Sequence, residues 1–338
     1  MDFRNIKFTS DTKIAYGVGK VRALENKMIP QQTFEQISEA PLENVYKSIT
    51  EFGYSEKFEE SIELNKKENY KIITNLIRKI ERYKELSDIY LLKEDCLNLK
   101  NYLKSKLLSE EDTVYSVKFN ISGKLSEEEI KNVIEKHQYQ IMDSEDADII
   151  EEYISKAKET KFPSEIEHLI DKLYFALIFR KIERSKVDYL KFYFQEYIDL
   201  LNIENLIRFK ILKKDFDIYL RFYFNNGSLK IKELQELYNI KLEDMPARFK
   251  TRGFYNTLVV GVESWLKNGN LNMFEIEKDN YLINLAKITK VLSFGVEPLF
   301  GYLFGKEIEY KNLRIIINGK KIKLSSNNIK EMLRETYV

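Results

Sequence analysis

The sequence runs to 338 residues, 43% of them hydrophobic, with 55 basic against 54 acidic side chains and a net charge of +1. That balance lacks the concentrated positive field that nucleic-acid binding needs, and no apolar run reaches the ~18–20 uncharged residues that span a bilayer. Only 12 Gly and 5 Pro leave few turn formers, which predicts long helices and an all-α fold.

The N-terminus has no apolar run of the secretory-signal kind. The first distinctive stretch is "AYGVGKVRALENKMI", Ala15 to Ile29, with two close glycines and a lysine after the second. A phosphate-cradling P-loop needs a glycine, four intervening residues, then Gly-Lys and a hydroxyl after it. Here those positions hold Ile14 and Val21, and the third glycine of a dinucleotide fingerprint would fall at Arg22. The stretch therefore predicts no nucleotide and no other cofactor. It predicts a helix instead: Val18, Val21, Leu24 and Met28 recur on one face, Pro30 ends it, and Arg22 pairs locally with Glu25 three residues on.

Further along, Ile72/Ile73, Leu76/Ile77, Ile80 and Tyr83 form an amphipathic helical face, as do Leu169, Leu173, Leu177 and Phe179/Ile182. Breaks are predicted at "EFGYSE", "NISG", "KETKFPS", "NNG", "KNGN" and "NGKK". Short extended pieces are expected at "YSVKFNI" and "LRIIING". The two histidines, His137 and His168, have no partner at metal-ligand spacing and read as ordinary helix residues. A lone cysteine, Cys96, forms no internal disulfide and suits a reducing compartment. No catalytic constellation and no metal site is expected.

The chain repeats itself. "RKIER" occurs at Arg78–Arg82 and at Arg180–Arg184, followed by "DCLNLKN" (Asp95 to Asn101) and "DLLNIEN" (Asp199 to Asn205). A Gly-x-Leu turn follows each, at Gly123–Leu125 and Gly227–Leu229. A weaker third copy, "EIEYKNLRIIINGKKIKL", keeps the terminal asparagine at Asn312 and has Glu309 where the others have Asn98 and Asn202. On this alignment Asn101, Asn205 and Asn312 are equivalent. The reading is three tandem helical domains, 1–125, 126–229 and 230–338.

Asp95, Asn98 and Asn101 share one side of a helix, as do Asp199, Asn202 and Asn205. Each stripe supplies a single carboxylate, so it reads as amides that bond a neighbouring helix and fix its register. Just beyond, the first copy reads "SEED" (Ser109–Asp112) and the second "KKDF" (Lys213–Phe216). Glu110 and Glu111 thus oppose Lys213 and Lys214 in charge. These four either belong to a solvated face or are candidate partner contacts of a pseudo-symmetric scaffold whose copies face different parts of one asymmetric partner.

These residues resemble the C subunits of prokaryotic V-type (A-type) ATPases, the relatives of the eukaryotic d subunit. The resemblance covers nearly the whole chain and is sharpest at its ends. Tyr16, Arg22 and Glu25 match the N-terminal pattern; Gly295, Pro298, Tyr302, Glu307, Glu309, Asn312 and Arg314 match the C-terminal one. The resemblance implies three pseudo-symmetric helical-bundle domains forming a funnel. It also implies a non-catalytic central-stalk role, seating the central axle on the membrane proteolipid rotor ring and passing torque between ATP turnover and ion flux. Such a part would lie peripherally on the cytoplasmic face of the membrane, without spanning it. The competing expectation is a helical adaptor in some other assembly.

Overall fold

A computed structural model describes residues 6–55, 57–108, 117 and 119–338, and among these the regular structure is helical throughout, with no strand. The α-helices are α1 (Ala15–Glu25), α2 (Gln31–Glu39), α3 (Leu42–Thr50), α4 (Phe58–Ile77), α5 (Ile89–Leu108), α6 (Glu127–Glu135), α7 (Ala147–Glu159) and α8 (Pro163–Ser185). They continue with α9 (Asp188–Ile211), α10 (Phe216–Arg221), α11 (Ile231–Asn239), α12 (Tyr255–Asn268), α13 (Asn272–Lys287), α14 (Glu297–Lys321) and α15 (Ser326–Glu331). Short 3₁₀ turns join several of them.

Local chemistry explains many of the boundaries. Pro163 opens α8, where a missing N–H costs nothing. Ser126 and Glu129 close a reciprocal capping box on α6. Gly269, at φ 68°, stops α12 in the left-handed region. The breaks expected at "KETKFPS", "NNG" and "KNGN" fall between helices.

The chain falls into two compact units. One comprises Met1–Asn65, Val187–Arg221 and Gly227–Val338; the other comprises Lys66–Lys186 and Phe222–Asn226. In the smaller unit, α5 and α7 pack on α8. In the larger, α14 runs through the middle and meets α1, α2, α3 and α13, while α12 lies along α13. One cluster of its core joins Phe34, Ile37, Val45, Ile49 and Tyr54 to Leu313, Ile316, Ile317 and Ile329.

That cluster overturns two sequence expectations. Leu313–Gly319 is not extended but lies inside α14, which also runs through the expected break at "NGKK" to Lys321. Leu313, Ile316 and Ile317 present one helical face to the apolar sides of α2 and α3, and burial outweighs the strand preference of a β-branched run. Of the other expected extended piece, Tyr115–Ile121, residues 115, 116 and 118 lie outside the described residues, and 117 and 119–121 form no strand. His137 is not a helix residue either: it sits in the turn after α6 at φ 55°, its Nδ1 2.6 Å from the Tyr139 hydroxyl. His168 does lie in α8, its ring against Phe222 and Phe224, and burial pushes its imidazole down to about 3.

The ends of α9 and α14 are built alike. Leu212 N–H bonds Arg208 O and Lys214 N–H bonds Phe209 O, around Lys213 at φ 51°. Ile322 N–H bonds Asn318 O and Leu324 N–H bonds Gly319 O, around Lys323 at φ 61°. A six-residue helix follows each, α10 and α15. A lysine in the left-handed region carries a Cβ penalty that glycine escapes. Lys323→Gly should therefore raise unfolding stability by about 0.5–1 kcal/mol, read by denaturant titration; a loss would mean the lysine side chain contributes more than its backbone costs.

Candidate functional site: three acid–asparagine clamps

The polar contacts of the repeat grow from α5, α9 and α14. In α5, Asn98 is buried and grips one residue with both ends of its amide: Nδ2 donates to Asn120 O at 3.0 Å, and Oδ1 accepts from Asn120 N–H at 2.8 Å. In α14, Asn312 does the same to Arg334, at 2.8 and 2.9 Å. Both partners lie 22 residues downstream in non-helical chain. Asn202 is fully buried at the matching place in α9, and its backbone carbonyl accepts from the Tyr219 hydroxyl at 3.3 Å.

The acid one turn earlier has its own backbone partner. Asp95 Oδ1 accepts from Leu125 N–H at 2.9 Å, and Asp199 Oδ1 from Leu229 N–H at 3.0 Å. Glu309 Oε2 accepts from Ile29 N–H at 2.8 Å. Leu125, Leu229 and Ile29 each stand two residues before a nine-residue helix: α6, α11 and α2. The three bonds are therefore equivalent, although the third joins the C-terminal part of the chain to its N-terminal part.

This geometry corrects the register of the third copy. Asn312 performs the role of Asn98, and Glu309 that of Asp95 and Asp199, so the copy is shifted by three from its sequence alignment. Lys213 and Lys323, and with them α10 and α15, fall into line on the same shift. The third members of the stripes, Asn101 and Asn205, are only half-buried. Asp95, Asn98 and Asp199 bond non-helical segments of backbone rather than a neighbouring helix.

The glycines that seemed to mark turns have a second role here. A Cβ on Gly123 would come within 2.4 Å of Asp95 Oδ1, and one on Gly227 within 2.5 Å of Asp199 Oδ1. Only glycine lets the backbone approach these carboxylates so closely. Burial drives the Asp95 carboxyl up to about 7, against the pull of the Leu125 and Lys124 N–H groups. Burial likewise raises Asp199, opposed by Ser228, Leu229 and by Arg252, whose Nη2 lies 2.8 Å from Asp199 Oδ2. Arg252 also donates to Glu196 at 3.0 Å, and Glu196 accepts from Tyr281 Oη at 2.6 Å. Arg252, Glu196 and Tyr281 carried no repeat signature in the sequence.

Around Ile29 and Glu309 the N-terminal segment is clasped. Glu309 Oε1 accepts from the Tyr54 hydroxyl at 2.6 Å and from Lys306 Nζ, all three residues being buried. Arg22 bonds Glu25 at 2.6 Å, as its spacing predicted, and also donates to the Thr289 and Leu292 carbonyls at 2.9 and 3.0 Å. Glu25 in turn accepts from Tyr337 Oη at 3.2 Å. Glu297 accepts from both the N–H and the hydroxyl of Thr9 at 2.6 Å. Arg314 reaches Glu63 at 3.2 Å, Glu307 is half-buried on α14, and Tyr16 stands exposed on α1. Lys213 and Lys214 are exposed, whereas Glu110 and Glu111 lie outside the described residues. Among the described residues no group of three or more His, Cys, Asp or Glu is placed to hold a metal ion, and no helix is long and apolar enough to cross a membrane. The carboxylates of the clamps are all occupied by partners within the chain.

The family model for the ATP synthase (C/AC39) subunit matches residues 17–332, which takes in nearly the whole clasp and all three acids of the clamps. The chain belongs to that family. It is 26% identical to the A-type ATP synthase C subunit of Methanosphaera stadtmanae, over 94% of its own length and 87% of the relative's. It is 23% identical to the A-type ATP synthase C subunit of Methanosarcina acetivorans, over 94% and 92% of the two chains. It also shares 40% identity over 60 residues, 18% of each chain, with the V-type sodium ATPase C subunit of Enterococcus hirae. By its family it is a structural part, not a catalytic one.

The clamps can be tested through Asp95. Asp95→Asn keeps an oxygen for Leu125 N–H, whereas Asp95→Ala orphans that buried donor and should cost about 1–3 kcal/mol. A carboxyl raised on folding favours the native state below its unfolded value near ~4 and loses that advantage as pH climbs through about 7. Asp95→Asn should therefore gain stability relative to the wild type across that window, in urea titrations at pH 5 and 8. Equal losses for both variants, independent of pH, would contradict the assignment.

Proposed function

We propose that this protein is the non-catalytic central-stalk element of a V-type/A-type rotary ATPase, sitting between the central axle and the membrane proteolipid ring and passing torque between them. In this reading it is a peripheral protein of the cytoplasmic face. Its body comprises three pseudo-symmetric helical-bundle domains, 1–125, 126–229 and 230–338, arranged as a funnel. The observation that carries the reading is the acid–backbone bond made three times over, at Asp95, Asp199 and Glu309, with the last closed by the N-terminal segment. A part that carries torque must resist shear between its elements, and buried, satisfied polar contacts rigidify the segments that they join. The names of the relatives support the assembly in which the part would work.

Purification of the tagged chain from detergent-solubilised membranes, with mass spectrometry of what accompanies it, tests the role. The expected companions are the axle subunits, the proteolipid and the ATPase head. Recovery with a different set of proteins would favour an adaptor in another assembly.

Charge divergence between equivalent sites yields a narrower test. Lys213 and Lys214 are exposed, so Lys213→Glu/Lys214→Glu should leave the fold intact. If they face an acidic patch, the double variant should bind the axle or the isolated ring more weakly and with an altered salt slope. Unchanged affinity and slope for both partners would return these lysines to the solvated surface.

A further inference from the structure

A cavity of about 150 Å³ lies in the smaller unit, away from the clamp residues. Helix α7 contributes Tyr153 to its wall, α8 contributes Lys172, Phe175 and Ala176, and the chain after α10 contributes Phe224, Asn225 and Asn226. Phe175 and Phe224 are buried, whereas Asn225 and Asn226 are exposed, so the space runs from an amide mouth to an aromatic floor. Asn226 turns the chain there at φ 73°, a left-handed conformation that asparagine tolerates better than most side chains.

The floor has a defined shape. The Phe175 and Phe224 rings meet at 80° with their centroids 5.4 Å apart, one edge against one face. Such a corner offers a third ring both a face and an edge. Ala176 adds only a methyl, and a space of about 150 Å³ takes one benzene-sized ring.

The wall carries a charge. Burial, and then the like charge of Lys156, bring the Lys172 ammonium down to about 8. Burial, and then the Lys172 charge, push His168 down to about 3, so His168 stays neutral at ordinary pH. Neighbouring charges on α5, α7 and α8 are matched: Lys156 with Glu152, Lys104 with Glu167 and Lys100 with Asp171. Burial raises the Tyr153 phenol, and residues 224–226 carry no titratable side chain. Lys172 is therefore the lining group whose charge changes near pH 8. An anion beside it would oppose both influences that lower it.

We propose that this cavity binds a small monocyclic aromatic carboxylate, with its ring in the Phe175–Phe224 corner and its carboxylate toward Lys172 and the two asparagine amides. The ammonium supplies a charge-assisted hydrogen bond in a partly dry setting, where such a bond is strong. A neutral aromatic forgoes that bond, and an anion without a ring leaves the corner unfilled. The site does not rest on the central-stalk reading.

Benzoate is the probe, titrated calorimetrically into the full chain beside benzamide and hexanoate. The expected result is one site with a dissociation constant of about 1 mM or tighter, favouring benzoate at least fivefold over both. Lys172→Met keeps the apolar stem and removes the ammonium. It should weaken benzoate at least tenfold while melting no lower than wild type, because it relieves a buried charge. Ala176→Leu should fill the corner and abolish binding. Affinity should fall at least fivefold from about pH 7 to about pH 9.5, since the carboxylate stays ionised while Lys172 loses its proton. The Lys172→Met chain should show no such fall. No binding at about 10 mM benzoate, or equal binding by wild type and Lys172→Met, overturns the site. So does wild-type affinity in a folded Ala176→Leu chain. Hexanoate held as tightly as benzoate overturns the aromatic ligand class.

Discussion

The hydrogen bond from a buried acid on a long helix to the backbone N–H that precedes the next short helix is the constraint on which the rest of this structure depends. Asp95, Asp199 and Glu309 each make it. A buried backbone N–H without a partner costs about as much as a whole net hydrogen bond, so each acid decides where its partner segment must cross the long helix. The asparagine one turn on, at Asn98 and Asn312, then fixes a second stretch of backbone by holding both groups of a single residue. Two fixed points a turn apart leave little freedom to slide. Glycine at 123 and 227 follows from this, because any side chain there would collide with the carboxylate.

The third clamp shows how a tandem repeat completes itself. Its acid is a glutamate, one methylene longer, and its N–H partner comes from Ile29 near the other end of the chain. The surroundings are heavily reinforced: Lys306 and Tyr54 share the glutamate, Thr9 holds Glu297, and Arg22, Glu25 and Tyr337 link α1 to the segments on either side of α14. A terminal segment normally frays, and ordering it costs backbone entropy. Here the apolar burial of Ile29, Phe34, Val45 and Ile49 against α14, together with these polar contacts, offsets that cost.

The sequence made the helices legible, along with the recurring acid–asparagine motif and the local Arg22–Glu25 pair. What it could not show was the register of the third copy. Matching asparagine to asparagine favoured Asn101, Asn205 and Asn312, yet the conformationally decisive pair is acid then asparagine, and a glutamate in the acid's place hid it. The strand-like look of "LRIIING" misled for a related reason: propensity is local, whereas Leu313, Ile316 and Ile317 are placed by the apolar faces of α2 and α3. Lys306, Tyr54, Arg252 and Glu196 were invisible beforehand because their roles depend on partners far away in the chain.

If the three clamps are equivalent, the amides that they hold should open only when their whole region opens. Residue-resolved hydrogen exchange of the Ile29, Leu125 and Leu229 amides tests this most directly. The account predicts that Ile29 is protected as strongly as the other two despite its place near the start of the chain, and that Glu309→Leu strips protection from Ile29 while leaving Leu125 unchanged. Fast exchange at Ile29 in the wild-type protein, comparable to exposed loop amides, would contradict it.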